Sequence, residues 1–267
     1  MTGESEPGPM PKSEHVEPVS SRPTAWQMCL LPGSVLRQYS FELGCDDPWV
    51  LVQIYGITTA QDAAEVDRLG PDTIGVVLDE GIPTWDSVDD ATARRIVFAV
   101  KRARVVALSL STDPERILAT FRTLKPDILH LARAVAVEME NLRRIRSAIE
   151  PAPLMVTVPV EGTGSVALAQ RLSEYGDYVL LDTKHPDTGV VGATGQTHDW
   201  ITSAAIVRAL DTPVILAGGL GPDNVTEAIS AVRPFGVDSE TRTSLDVDRR
   251  QKDVAKVEAF IAAARAT

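Results

Sequence analysis

Nothing restricts the architecture of this chain more than an alternation that sets in at Trp49. Short, continuous runs of Val, Ile and Leu are each followed by a longer segment of helical periodicity with its own start signal. Apolar runs with little polar interleaving are what parallel strands covered on both faces require. The pattern predicts strands at Val50–Tyr55, Thr73–Leu78, Arg104–Leu110, Asp127–Leu131, Leu154–Val158, Tyr178–Asp182, Pro213–Ala217 and Phe235–Asp238. Helices are expected to begin near Thr59, Ser87, Asp113, Val137, Thr163, Trp200, Gly221 and Asp248. Thr59, Asp113 with Pro114, and Pro222-Asp223-Asn224 read as their start signals.

Eight strands and eight helices in strict alternation over residues 49–267 match an α/β fold of the (β/α)8 TIM barrel type. A doubly wound open sheet is the competing architecture, since alternation alone does not show closure. An N-terminal extension precedes the barrel. Residues 1–23, rich in Pro, Glu and Ser, read as a disordered tail, and residues 24–48, with Trp26, Leu30, Leu31 and Phe41, as a lead-in of unknown role. The formal charge of −11, from 26 Lys+Arg against 37 Asp+Glu, with no local basic concentration, argues against nucleic acid and anionic membrane as partners. The start of the chain lacks the pattern of a secretory signal, and no apolar run reaches the roughly 18 residues of a spanning helix. Cys29 and Cys45 read as reduced thiols of a cytoplasmic protein.

In a barrel the chemistry lies at the C-terminal ends of the strands. That rule selects Tyr55 after the first strand, Asp79 and Glu80 after the second, His130 on the fourth, Asp182 on the sixth, Gly218-Gly219 after the seventh and the segment from Asp238 after the eighth. Asp182 closes an apolar strand, where partial burial moves a carboxyl into general-acid range; the bland alternative is a turn cap. His130 serves equally as hydrogen-bonded filler, and Tyr55 is a donor or stacking surface sooner than a base. Gly218-Gly219, just ahead of a helix start, has the make-up of an anion cradle, or of a simple strand-to-helix turn. The long sixth loop, Thr183 to Asp199, offers Gly192, Thr194 and Gly195 as further anion donors or a lid, unless it is a plain surface insertion. His15, His130, His185 and His198 show no ligand spacing, so no metal is expected. No Gly-x-Gly-x-x-Gly opens the first helix, and no organic cofactor is expected.

From about Val50 onward the sequence resembles the phosphoribosylanthranilate isomerase family of tryptophan biosynthesis. The resemblance is carried by Leu181-Asp182-Thr183 leading to Gly192-Ala193-Thr194-Gly195-Gln196-Thr197-His198-Asp199-Trp200. Pro213 to Leu220, Gly236-Val237-Asp238 and Lys252-Asp253 follow in the same order. It implies a cofactor-free Amadori rearrangement of an aminoaldose phosphate, with Asp182 as the acid that protonates the ribose ring oxygen. It also implies phosphate grips at Gly192–Gly195, Gly218-Gly219 and the segment after Asp238. The departures are equally specific. Where the family has Lys-Ile-Cys-Gly-Ile-Thr, with Cys as base, this chain has Gln53-Ile54-Tyr55-Gly56-Ile57-Thr58. The family's arginine after the second strand has no counterpart, and acidic Asp79-Glu80 stand there instead. Its Ser-Ser-Gly motif becomes Glu240-Thr241-Arg242, which substitutes a guanidinium fork for a glycine.

The expectation is therefore an aldose–ketose isomerase acting on a phosphorylated sugar or sugar conjugate, monomeric or homodimeric. Asp182 is the acid, Tyr55 and His130 assist, and Gly192, Thr194, Gly195, Gly218, Gly219, Thr241 and Arg242 hold phosphate. His130, Asp79 and Glu80 are the substitute bases. The alternatives are the original tryptophan-pathway reaction with a replaced base, and a barrel that binds a phosphate ligand without turnover.

Overall fold

The computed structural model describes residues 50–183 and 199–267. The eight expected strands all form, and a ninth, of two residues, joins them. In chain order they are β1 (Leu51–Ile54), β2 (Thr73–Leu78), β3 (Ser87–Val88), β4 (Arg104–Ser109), β5 (Ile128–Leu131), β6 (Leu154–Val160), β7 (Tyr178–Thr183), β8 (Val214–Leu216) and β9 (Gly236–Ser239). Every pairing is parallel, and β1 pairs with both β2 and β9, so the eight staves β1, β2 and β4–β9 close into a barrel. The short β3 lies against the mouth end of β2, with Val77 opposite Ser87. Its residues fall where a helix was expected to begin; the helix starts instead at Asp90, behind the Asp89 cap.

Helices α1 (Ala60–Leu69), α2 (Asp90–Ala99), α3 (Pro114–Leu124), α4 (Met139–Ile149), α5 (Gly164–Ser173), α6 (Trp200–Ala209), α7 (Val225–Val232) and α8 (Val254–Arg265) cover the outside. Thr59 and Asp113 cap as expected, their side chains accepting from the amides of Asp62 and Glu115. Asn224 does not cap α7; its side chain accepts from the Gly221 amide and donates to the Gly219 carbonyl, folding the loop ahead of the helix. The last helix begins later than Asp248, because residues 244–252 form an antiparallel bridge between Ser244 and Lys252 first. Among the described residues no helix is long and apolar enough to cross a membrane.

Strand alternation divides the apolar residues into two cores. Val52, Ile54, Ile74, Val76, Val156 and Val179 face the helices in the larger one. Leu51, Val77, Val106, Ile128, Met155, Leu180 and Ile215 fill the barrel, with Tyr55 among them. Three carboxylates bind staves together at the closed end. Asp72, Asp127 and Asp177, each directly before a stave, accept a hydrogen bond from the backbone amide of Val52, Val105 and Leu154 on the preceding stave, at 2.8 Å each. Bonds of this kind, from an amide to a charged acceptor, contribute about 1.5–3 kcal/mol each. The equivalent position before β9 is Phe235, which instead packs its ring 6.2 Å from Tyr178.

Candidate active site

The inward face of the barrel turns polar toward the C-terminal ends of the staves: Gln53 on β1 and Tyr55 just past it, His130 on β5, Thr157 on β6, Asp182 on β7 and Asp238 on β9. Tyr55, His130 and Thr157 form one buried chain. The Tyr55 hydroxyl is 2.7 Å from His130 Nδ1, and His130 Nε2 is 2.7 Å from Thr157 Oγ1. Burial drives the imidazole down to about 3, so it is neutral and offers one donor and one acceptor nitrogen. The phenol moves the opposite way, well above its usual value, through burial and then the nearby Asp238, Glu240 and Asp86 charges. Neither group exchanges a proton readily near neutrality. The Tyr55 ring lies on Gly75 of β2, where a Cβ would come within 2.3 Å of it.

Asp182 stands partly exposed at the end of the sixth stave, accepting a 2.7 Å hydrogen bond from the Thr183 amide. Desolvation pushes its carboxyl up to about 7, against the pull of that amide. Asp238 reaches about 8 through burial and then the Asp182 charge, partly offset by Gln53 and Lys252. Gln53 faces Asp238 across the β1–β9 register and accepts from the Thr73 hydroxyl at 2.9 Å. Beyond Asp238, burial and the adjacent Asp86 carboxyl raise Glu240 well above its ordinary value. Lys252 threads into this group from the segment before α8. Its Nζ donates to the Glu240 carbonyl at 2.9 Å and to Ser244 Oγ at 3.0 Å. Burial lowers it to about 8, while the surrounding carboxylates, Glu240 foremost, pull it back up.

A carboxyl whose pKa is raised on folding binds more protons folded than unfolded, so stability falls as pH climbs from about 4, its unfolded pKa, to the folded value. Asp238→Asn is therefore expected to raise the melting temperature near pH 8 and to have little effect near pH 4. Thermal melts at the two pH values check this, and an equal effect at both would place the carboxyl in solvent.

Gly218 and Gly219 both adopt left-handed backbone, φ 82° and 63°, which other residues enter only at a cost. Their loop is tied to the one after β9: Ser239 donates to the Leu220 carbonyl at 2.7 Å, and Arg242 donates to the Gly219 carbonyl at 3.3 Å. The Arg242 fork, expected to hold phosphate, is engaged by Asp223 through two contacts of 2.7 and 2.6 Å. Thr241 opens the single 3-10 turn that carries Arg242. Gly192, Thr194 and Gly195, like Cys29, Cys45, His15, His185 and His198, lie outside the described residues.

Of the substitute bases, Glu80 is a brace: it accepts from Ser109 Oγ at 2.5 Å, the Ser111 amide at 3.0 Å and Thr120 Oγ1 at 3.0 Å. Asp79 is exposed and closes its own loop by accepting from the Gly81 amide. The sequence reading gave no role to Gln53, Asp86 or Lys252, and took in Asp238 and Glu240 only as part of the segment after the last strand. Asp238 and Glu240 had a signal, two carboxylates at strand spacing on an inward face; Lys252 had only its place among the segments that carry the resemblance.

Residues 52–263 match the sequence model of the family described as N-(5'phosphoribosyl)anthranilate (PRA) isomerase. The N-(5'-phosphoribosyl)anthranilate isomerase of Haloferax volcanii is 36% identical over 218 residues, spanning 80% of this chain and 92% of the relative. That of Methanopyrus kandleri is 35% identical over 229 residues, 81% of this chain and 99% of the relative. Among solved structures, the phosphoribosylanthranilate isomerase of Thermotoga maritima superposes with a TM-score of 0.68 at 28% identity, covering 82% of this chain and 100% of that one. A phosphoribosylanthranilate isomerase in complex with reduced 1-(o-carboxyphenylamino)-1-deoxyribulose 5-phosphate gives 0.67 at 26% identity, with the same coverage.

Proposed function

Because this chain belongs to the N-(5'-phosphoribosyl)anthranilate isomerase family, we propose that its substrate is N-(5'-phosphoribosyl)anthranilate and its product the corresponding deoxyribulose 5-phosphate. The chain is an isomerase of the aldose–ketose type, in tryptophan biosynthesis. The observation that carries the assignment of roles is Asp182, a carboxyl at about 7 in the mouth of the barrel. Protonated, it donates to the ribose ring oxygen as the C1–O bond opens to the Schiff base; the C2 proton then leaves toward the β1 side. Tyr55 and His130 assist as a neutral, hydrogen-bonded floor that keeps water from the iminium. The paired loops at Gly218-Gly219 and Thr241-Arg242 lie where the phosphate is gripped, with Arg242 exchanging Asp223 for the phosphate oxygens. Gly192, Thr194 and Gly195 complete that grip. The setting is the cytoplasm and the ligand a dissolved sugar phosphate, with no resident cofactor.

The test is decay of the substrate's fluorescence in the presence of the protein. Turnover is expected, with kcat/KM falling about tenfold per pH unit above about 7, because the acid must carry its proton. Folded protein that leaves the substrate intact would defeat the assignment. One observation favours a second reading, an aminoaldose phosphate whose N-substituent lacks a carboxylate. Asp79, Glu80 and Asp86 follow β2 where the family pattern has a cation, and turnover of such an analogue in preference to the anthranilate would support it.

A further inference from the structure

The C2 proton needs an acceptor on the β1 side of the mouth, and the residue in the family's cysteine position does not supply one. Tyr55 spends its hydroxyl on His130, whose two ring nitrogens are both engaged within the same buried chain. What reaches the head of β1 comes from the neighbouring stave. Glu240 follows Asp238 by two residues, just past the end of β9, and its side chain leans across the barrel rim onto Gly56. A Cβ added to Gly56 would stand 2.8 Å from Glu240 Oε1 and 2.9 Å from its Cγ. Oε1 accepts no hydrogen bond among the described residues. Gly56, in left-handed backbone at φ 72°, leaves the space that this carboxyl fills.

We propose that Glu240 is the general base of the isomerisation, its carboxylate taking the C2 proton at the head of β1, one residue beyond the position that the family pattern gives to a thiolate. The inference rests on the reading above and names the base of the same site. As the C2–H bond breaks, its electron pair becomes the C1=C2 bond and the iminium π pair returns to nitrogen. The enol so formed tautomerises to the ketose, with no net change in atoms or electrons. One proton then returns from Glu240 to Asp182, and Asp238 interacts with both. Lys252 is a positioning residue: its Nζ holds the Glu240 carbonyl and Ser244 Oγ. The Asp86 carboxyl lies beside Glu240 and, after burial, is the main cause that raises it above its ordinary value.

The experiment compares the full chain with Glu240→Gln and Glu240→Asp in the fluorescence assay, with initial rates across pH. E240Q is expected to lose about 100-fold in kcat with KM within about twofold, and to lose the limb of the pH profile that rises with ionisation of the base. E240D, which keeps the carboxyl one methylene back, is expected to recover at least about tenfold over E240Q. E240Q within about threefold of the unmodified chain, or E240D no better than E240Q, overturns this inference alone. An unmodified chain that leaves the substrate untouched overturns it together with the reading it rests on.

Discussion

Asp182→Asn is expected to lower kcat by about three orders of magnitude while KM stays within a few-fold. The amide matches the carboxyl in size and can still accept the Thr183 amide bond now made to Oδ1. It cannot surrender a proton to the ring oxygen, so opening of the ribose loses its acid. The loss is expected to exceed that at Glu240, because Asp86 stands beside Glu240 as a second carboxylate, whereas no other group is proposed to share the acid role of Asp182 in the unmodified chain. The proposed phosphate grip is at other loops, so inhibition by inorganic phosphate should be unchanged. Retention of more than about a tenth of the activity would move the acid role to Asp238, which also holds its proton near neutrality.

The second large effect is structural. Gly75→Ala would place a methyl group 2.3, 2.4 and 2.5 Å from three atoms of the Tyr55 ring. The ring cannot drift aside, because it is 4% exposed, enclosed by Leu51, Val77 and Val106, and tethered to His130. Overpacking of this kind costs about 3 kcal/mol, seen as a lower urea midpoint or melting temperature. Tyr55→Ala in the same chain frees the space, so the double variant should be more stable than the sum of the single effects by at least about 2 kcal/mol. Strictly additive effects would show that the strand relaxes instead. The large residue at the end of β1 and the missing side chain on β2 are one adaptation.

This pairing was not legible in the sequence, which presents Tyr55 and Gly75 twenty positions apart with nothing to link them. The barrel was legible, since eight apolar runs of strand length separated by capped helices leave few architectures, and the residues at the C-terminal ends of those runs included Asp182, His130 and Tyr55. Spacing does not reveal what each end residue touches. Arg242 read as a free fork and is found on Asp223; Glu80 read as a rim carboxylate and is found as a brace. Both differences arise from tertiary partners supplied by neighbouring loops, a helix and a stave. The β3 strand escaped notice because Ser87-Val88 is too short to carry a period.

The three carboxylates at the closed end have a mechanical consequence. Asp72, Asp127 and Asp177 each join a stave to the one before it, so the wall consists of two-stave panels of which three are riveted at the base. The fourth panel, β8 with β9, has Phe235 at that position, joined to β8 by its backbone amide, which donates to the Val214 carbonyl at 2.9 Å, while its ring packs on Tyr178 of β7. This panel carries the glycine loop and the Arg242 clasp at its other end. The panel that carries these two loops is therefore the one joined at its base by backbone bonds alone, without a side-chain rivet.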